Sequence, residues 1–340
     1  MDGSACQNPS VRAYYSDRFV LPLPEGHRFP MAKYRMLRER VIAELPGVVL
    51  SEPEPASTGQ LALAHAPQYV ERVCAGTLDA AEMRAIGFPW SPQMVERSRR
   101  SAGATIAACR AATLDGVAVN LAGGTHHAQH ARGAGYCVFN DVAISARVMQ
   151  SEAARGRRVL KVAIVDLDVH QGDGTAQILD GDASVFTLSI HAASNFPLRK
   201  QTSSLDVALP DGTADDAYLA TLRDSLVAMR WRFEPQLLIY VSGADAHEGD
   251  RLGKLKLSTA GMQARDRTIF DFAEALGVPV AVTMAGGYGR DVATTVGVHF
   301  STVQCAWQSW LRRSGRAVSA IGAIAADAPA QDASPASRIG

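Results

Sequence analysis

Asp166, Asp168 and His170 stand at every second position, directly after the mostly apolar run 159–165. Side chains two apart in extended chain point the same way. Part of this set can therefore converge on one point past a strand's C-terminal end. Two carboxylates and an imidazole there are ligands of the kind that hold a divalent metal. Taken alone, Asp168 and His170 read equally well as an ion pair. Three more strand-like runs end in polar punctuation: Gly123-Gly124-Thr125-His126-His127, Ser242-Gly243-Ala244-Asp245 and Ala285-Gly286-Gly287-Tyr288. Singly, Asp245 caps a turn, the histidine pair is a surface feature and Tyr288 is a core aromatic. Together they carry a signal, because parallel strand ends share one edge and ligands bind there.

The chemistry that fits is hydrolysis. A catalytic zinc keeps three protein ligands and an open position, and Asp168, His170 and Asp245 supply that count. A histidine must take a proton from water and later give one to the leaving group, and His126 and His127 are two candidates. Each needs a carboxylate to hold its tautomer, which leaves Asp166 and Asp173 for that task. The Tyr288 hydroxyl can donate to a tetrahedral oxyanion. The sum is metal-assisted cleavage of an amide or similar bond.

The elements that must position these groups alternate. Helical patterns cover 31–45, 67–74, 91–113, 139–154, a short stretch near Thr175, 215–232, 258–275 and 290–312. Strand patterns cover 12–15, 116–121, 159–165, 184–190, 236–241 and 278–284. Such alternation predicts an α/β fold built on a mainly parallel sheet. The chain has 340 residues, 47% of them hydrophobic, and zero formal net charge. Nothing electrostatic points to nucleic acid or an acidic membrane surface. Five scattered cysteines without a CxxC pair argue against a disulfide framework and fit a reducing cytoplasm. No secretory signal or membrane span is expected. Residues 1–315 read as one catalytic domain, and 316–340, rich in Ala, Ser and Pro, as a disordered tail.

Five segments resemble the zinc-dependent histone deacetylase superfamily. They are Gly-Gly-Thr-His-His-Ala (123–128), Gly-Tyr-Cys-Val-Phe-Asn-Asp (135–141), Asp-Leu-Asp-Val-His-Gln-Gly-Asp-Gly-Thr (166–175), Ser-Gly-Ala-Asp-Ala-His-Glu-Gly-Asp (242–250) and Ala-Gly-Gly-Tyr (285–288). Segments 27–33 and 248–253 look more like the class IV and bacterial branch than class I. The resemblance implies the arginase/deacetylase fold, with the active site at the C-terminal edge of the strands. It implies one zinc per chain on Asp168, His170 and Asp245, with His126 and His127 as the histidine pair and Asp166 and Asp173 as their partners. It gives Tyr288 to the oxyanion, and Gly135, Tyr136 and Leu252 to the acyl-lysine tunnel. It also implies a structural potassium on Asp166, Asp168, His170, Ser189 and Ile190. The substrate it implies is an acylated lysine, acetyl or longer, or a small acylated amine.

The chain departs from the family in places. Ala244 stands where many members have Phe, and Tyr136 where they usually have Phe. No acidic residue occurs between Ile86 and Gln93, where class I members grip the substrate backbone. Arg251-Leu252-Gly253 replaces the glutamate gate of polyamine-preferring members. Two readings of other classes stand beside deacylation. One is a silent acyl-lysine binder. The other is a binuclear manganese hydrolase, disfavoured by His247, where a second metal would want Asp. Cys137 reads as a small buried residue, His191 as support and His247 as structural or at the rim. Oligomeric state is left open.

Overall fold

The computed structural model describes residues 10–315. The tail expected at 316–340 lies outside them. Among the described residues, eight strands form one sheet: β1 (Val11–Tyr14), β2 (Val48–Ser51), β3 (Val117–Asn120), β4 (Val162–Asp166), β5 (Val185–Ala192), β6 (Leu205–Leu209), β7 (Leu237–Ser242) and β8 (Val280–Met284). Their order is β2-β1-β3-β8-β7-β4-β5-β6. Every pairing is parallel, so the sheet is wholly rather than mainly parallel.

The apolar runs form strands buried on both faces, as parallel strands require. Their period of two divides the core. Ala163 and Val165 of β4, with Leu238 and Tyr240 of β7, face a core closed by α1 (Ala32–Glu44), α8 (Asp215–Arg232), α9 (Thr259–Ala275) and α10 (Val292–Arg313). Val162, Ile164, Leu237, Ile239 and Val241 face the opposite core. That side is closed by α3 (Pro67–Ala75), α5 (Pro92–Asp115) and α6 (Asp141–Arg155). No described helix is long and apolar enough to cross a membrane.

Most expected elements are present with shifted ends. The strand expected from Val159 begins at Val162, since Val159 is 75% exposed. The helix expected from Phe139 begins at Asp141, because Asn140 caps it by accepting from the Ala143 N–H at 2.9 Å. His191 lies inside β5 rather than after it. Residues 173–179 form α7 (Asp173–Leu179). Four elements were not expected: the strands β2 and β6, and the short helices α2 (Thr58–Leu61) and α4 (Ala80–Ile86). β2 and β6 are edge strands, short and partly exposed, so they lack a continuous apolar signal. Both helices open with capping boxes, Ser57 with Gln60 and Asp79 with Glu82. That pattern is readable in sequence.

The topology assembles the site. β3 and β4 follow one another among the strands, yet β8 and β7 lie between them. The loops after these four strands therefore meet at one edge, where the strand order switches.

Candidate active site

Asp166 is the last residue of β4. The chain then leaves the sheet, so strand alternation does not carry Asp168 and His170 to the site. Side-chain acceptance does: Asp166 Oδ1 takes the Asp168 N–H at 3.1 Å, and Asp168 Oδ1 takes the His170 N–H at 2.9 Å. Asp245 arrives from the loop after β7. Its Oδ1 accepts from the Val169 N–H at 3.0 Å, tying the two loops together. Asp168, His170 and Asp245 thus present ligand atoms all within 4.8 Å of one another.

This donor set fits a divalent cation. Asp245 Oδ2 is buried and has no hydrogen-bond partner, a costly state for a carboxylate oxygen. His170 Nδ1 lies 2.9 Å from Asp168 Oδ1 and 3.2 Å from Asp245 Oδ2. Burial opposes its charge, but the two carboxylates outweigh burial and lift its pKa to about 10. Burial, then the charge of Asp168, push the Asp245 carboxyl up to about 7. Burial also works against ionising Asp168, yet His126 and His170 hold its carboxyl well below the usual range. Two carboxylates crowded around one proton are what a cation would relieve, releasing that proton. Gly286 leaves the room: a Cβ there would lie 1.8 Å from Asp245 Oδ2 and 2.7 Å from Asp168 Oδ2.

The histidine pair pairs off as expected. His126 Nδ1 bonds Asp166 Oδ2 at 2.6 Å, and His127 Nδ1 bonds Asp173 Oδ1 at 2.6 Å. Both rings are almost fully buried. Burial works against charge on His126, but Asp166 and then Asp168 prevail and raise it to about 9. Burial, then the His126 charge, lower His127 to about 4, with Asp173 opposing. One imidazole is therefore held charged and its neighbour neutral. His127 packs edge-on against Phe196, centroids 4.8 Å apart.

Tyr288 closes the site on the β8 side. Burial pushes its phenol well above the usual range, so it remains a donor. Asp250 fixes it: Oδ2 accepts the Tyr288 N–H at 2.6 Å, and Oδ1 takes the Leu252 and Gly253 N–H groups at 2.7 and 2.9 Å. A cavity of about 180 Å³ reaches this centre between Gly135, Tyr136, Phe196, Leu252 and Tyr288, and continues past His126 to Lys33 and Arg97. Tyr136 has a positive φ of 66°, and its ring lies 5.3 Å from both Phe29 and Phe88. Cys137 is buried, as expected.

Ser189 and Asp166, two of the five residues expected at potassium, are register partners on β5 and β4. Ser189 Oγ is within 3.0 Å of His191 Nδ1. His247 is held by the Gly249 N–H and Thr259 Oγ1, a structural role.

Sequence reasoning missed several supports. Asp141, fully buried, accepts from Thr105 Oγ1 at 2.6 Å, from the Gly124 and Thr125 N–H groups, and from the Thr125 and Thr283 hydroxyls. It locks the loop that carries the histidines. Gln129 Nε2 donates to Asp173 Oδ2 at 3.0 Å. His65 takes the Asn140 N–H on Nε2 at 2.8 Å and contacts Gln129 O through Nδ1 at 2.9 Å. It is therefore neutral, with its proton on Nδ1. Phe196, which lines the cavity, gives no signal in the sequence.

The sequence profile of the histone deacetylase domain matches residues 27–303. A histone deacetylase-like amidohydrolase of Pseudomonas aeruginosa is 32% identical over 293 residues, covering 79% of this chain and 74% of its own. An uncharacterised protein of Picosynechococcus sp. is 42% identical over 289 residues, covering 84% of this chain and 94% of its own. A crystal structure of an HDAC homolog complexed with SAHA matches the fold with a TM-score of 0.73 at 23% identity, covering 91% of this chain and 85% of its own. The parallel sheet flanked by helices is the arginase/deacetylase fold.

Proposed function

Because the chain belongs to the histone deacetylase family, we propose that it is a zinc-dependent deacylase of lysine side chains. Family membership makes it an enzyme of the deacetylase and amidohydrolase class. The single observation that carries the finer reading is the buried Asp168–His170–Asp245 triad beside two carboxylate-held histidines and Tyr288.

Asp168, His170 and Asp245 would hold the ion. A zinc there supplies Lewis acidity, polarising the acyl carbonyl and making water a better nucleophile. His127 is neutral, and with its Nδ1–H donating a hydrogen bond to Asp173 its Nε2 lone pair is free. It takes one proton from the attacking water. Tyr288 donates its hydroxyl proton in a hydrogen bond to the developing oxyanion. When the C–N bond breaks, His127 returns its proton to the amine nitrogen, giving a free amine and a carboxylic acid. His126, held charged by Asp166, remains protonated and adds positive potential. Gly135, Tyr136, Phe196 and Leu252 guide the lysine stem.

A cavity near 180 Å³ is on the order of one that encloses a benzene ring, which favours a short acyl group over a fatty one. The lack of an acidic residue across 87–92 favours a small acylated amine as the second reading, because no carboxylate is there to grip a peptide backbone. A structural potassium at Asp166, Asp168, His170, Ser189 and Ile190 is part of the proposal. It predicts a higher Tm in potassium than in choline salts. The scattered free cysteines suit the cytoplasm, where we place it.

The test is turnover of a fluorogenic acetyl-lysine peptide by the zinc-loaded protein, compared with a myristoyl peptide and an acetylated polyamine. Loss of turnover in His127→Ala and Tyr288→Phe is expected. Acyl-peptide binding without turnover of any of the three would overturn the reading in favour of a silent binder. Two metals per chain would favour the binuclear class.

A further inference from the structure

Arg265 on α9 is completely buried, beneath the loops that carry the triad. A guanidinium has five N–H donors, and all are used. Nη1 donates to Leu167 O at 3.2 Å and to Gly243 O at 2.7 Å. Nη2 donates to Ser242 Oγ at 3.0 Å and to Asp266 Oδ1 at 2.9 Å, and Nε donates to Asp266 Oδ1 at 3.0 Å. Asp266 is buried equally, held by Tyr240 Oη at 2.5 Å and Thr302 Oγ1 at 2.6 Å.

The two carbonyls are the informative partners. Leu167 O belongs to the residue just before Asp168, and Gly243 O lies two before Asp245. One planar group therefore joins the two loops that supply both carboxylates of the triad. The same segments are also tied by the Leu167 N–H to Val241 O bond at 3.0 Å, by the Val169 N–H to Asp245 Oδ1 bond and by the His170–Asp245 contact within the triad. A buried ion pair is weak evidence for stability, since desolvation offsets attraction. A fixed fork spanning two loops is instead what a geometric constraint needs.

We infer that Arg265 is a positioning residue that sets the spacing of the Asp168 and Asp245 carboxylates, with Asp266 neutralising its charge. The inference rests on the metal-site reading of the triad. Arg265→Lys keeps the charge but loses the planar fork. Groups that orient metal ligands from behind are worth 10–100-fold in affinity.

The experiment uses the full chain, stripped of metal and titrated with zinc against a chromophoric chelator. It is repeated with cobalt, whose visible spectrum reports ligand geometry, alongside thermal melting. For Arg265→Lys the zinc Kd should rise about 10–100-fold and the cobalt bands should shift. Asp266→Asn removes the counter-charge and leaves both carbonyl bonds, so it should lower Tm with Kd and spectrum close to wild type. If Kd instead follows Tm in both variants, Arg265 is only structural and the inference fails. Should Arg265→Lys not fold, Ser242→Ala removes one anchor of the fork. A weaker shift in the same direction supports the inference, and an unchanged Kd and spectrum overturns it. Failure of the wild-type chain to bind zinc would instead overturn the metal-site reading itself.

Discussion

Gly286→Ala isolates the triad from the rest of the fold. A Cβ at 286 would sit 1.8 Å from Asp245 Oδ2 and 2.6 Å from its Cγ, roughly 2 Å inside the ordinary contact distance. The loop cannot retreat easily. Its 286 N–H donates to Asp168 Oδ2 at 2.7 Å, and its 286 carbonyl accepts from the Ala244 N–H at 2.8 Å. Asp245 must therefore swing away, although metal–ligand distances tolerate only about 0.2 Å. Disturbing groups behind the ligands costs 10–100-fold, so displacing a ligand should cost at least about 100-fold in zinc affinity, or about 2.7 kcal/mol. Overpacking costs the fold about 1–3 kcal/mol, which lowers Tm by roughly 1–5 °C at an unfolding entropy of about 2.1 cal/mol/K per residue. The control is Gly297→Ala, inside α10, where a Cβ meets only Arg40 Nη1 at 3.7 Å. It should be neutral or stabilising by up to about 1 kcal/mol. Chelator-competition titration and thermal melts of the two variants decide the matter. A Gly286→Ala protein that holds zinc within threefold of wild type would refute the placement of the triad against this glycine.

Two further outcomes follow from the buried polar groups. Burial lowers His65 from 6.5 to about 4, so in the folded chain it takes up its proton only at lower pH than in the unfolded chain. Its contribution is complete above pH 6.5 and declines as pH falls toward 4, by up to about 3 kcal/mol. The urea midpoint should drop over that window, and His65→Gln should reduce the slope without abolishing it, since His127 and His191 are also lowered to about 4. An unchanged slope counts against this account. Asp141→Asn replaces an acceptor-only group facing hydroxyl and N–H donors on both oxygens. It should lower stability by about 3 kcal/mol in thermal melts and cut turnover by disordering the His126–His127 loop; wild-type values for both would show that the carboxylate does not lock the loop.

The interior of the sheet and the loops at its edge are legible in the sequence, and the reason is local. β4, β7 and β8 are continuous apolar runs buried on both faces, and each runs into glycines and polar residues that nothing in a core would require. β2 and β6 could not be found that way, because an edge strand is partly exposed and its signal shrinks to a few residues. The helices α2 and α4 are different. Asp79 with Glu82 and Ser57 with Gln60 are capping boxes, but the one or two turns that follow them show no apolar period.

The site divides along a similar line. Groups proposed to meet the substrate or ion sit at strand ends, where a single sequence pattern exposes them. Groups that hold those in place are defined by partners far away. Arg265 lies 98 residues from Leu167 and Asp141 lies 142 from Thr283, and no periodicity links either pair. Asp250 shows the intermediate case. It stands within a recognisable motif, yet only the fold shows it joining the Tyr288 N–H to the rim at Leu252. A carboxylate that fixes the proposed oxyanion donor and the cavity rim together couples two properties that sequence treats separately. Substitution at Asp250 should therefore change substrate preference and turnover in the same variant. By the same logic, the spacing of the triad is set from α9, an element that contributes no ligand.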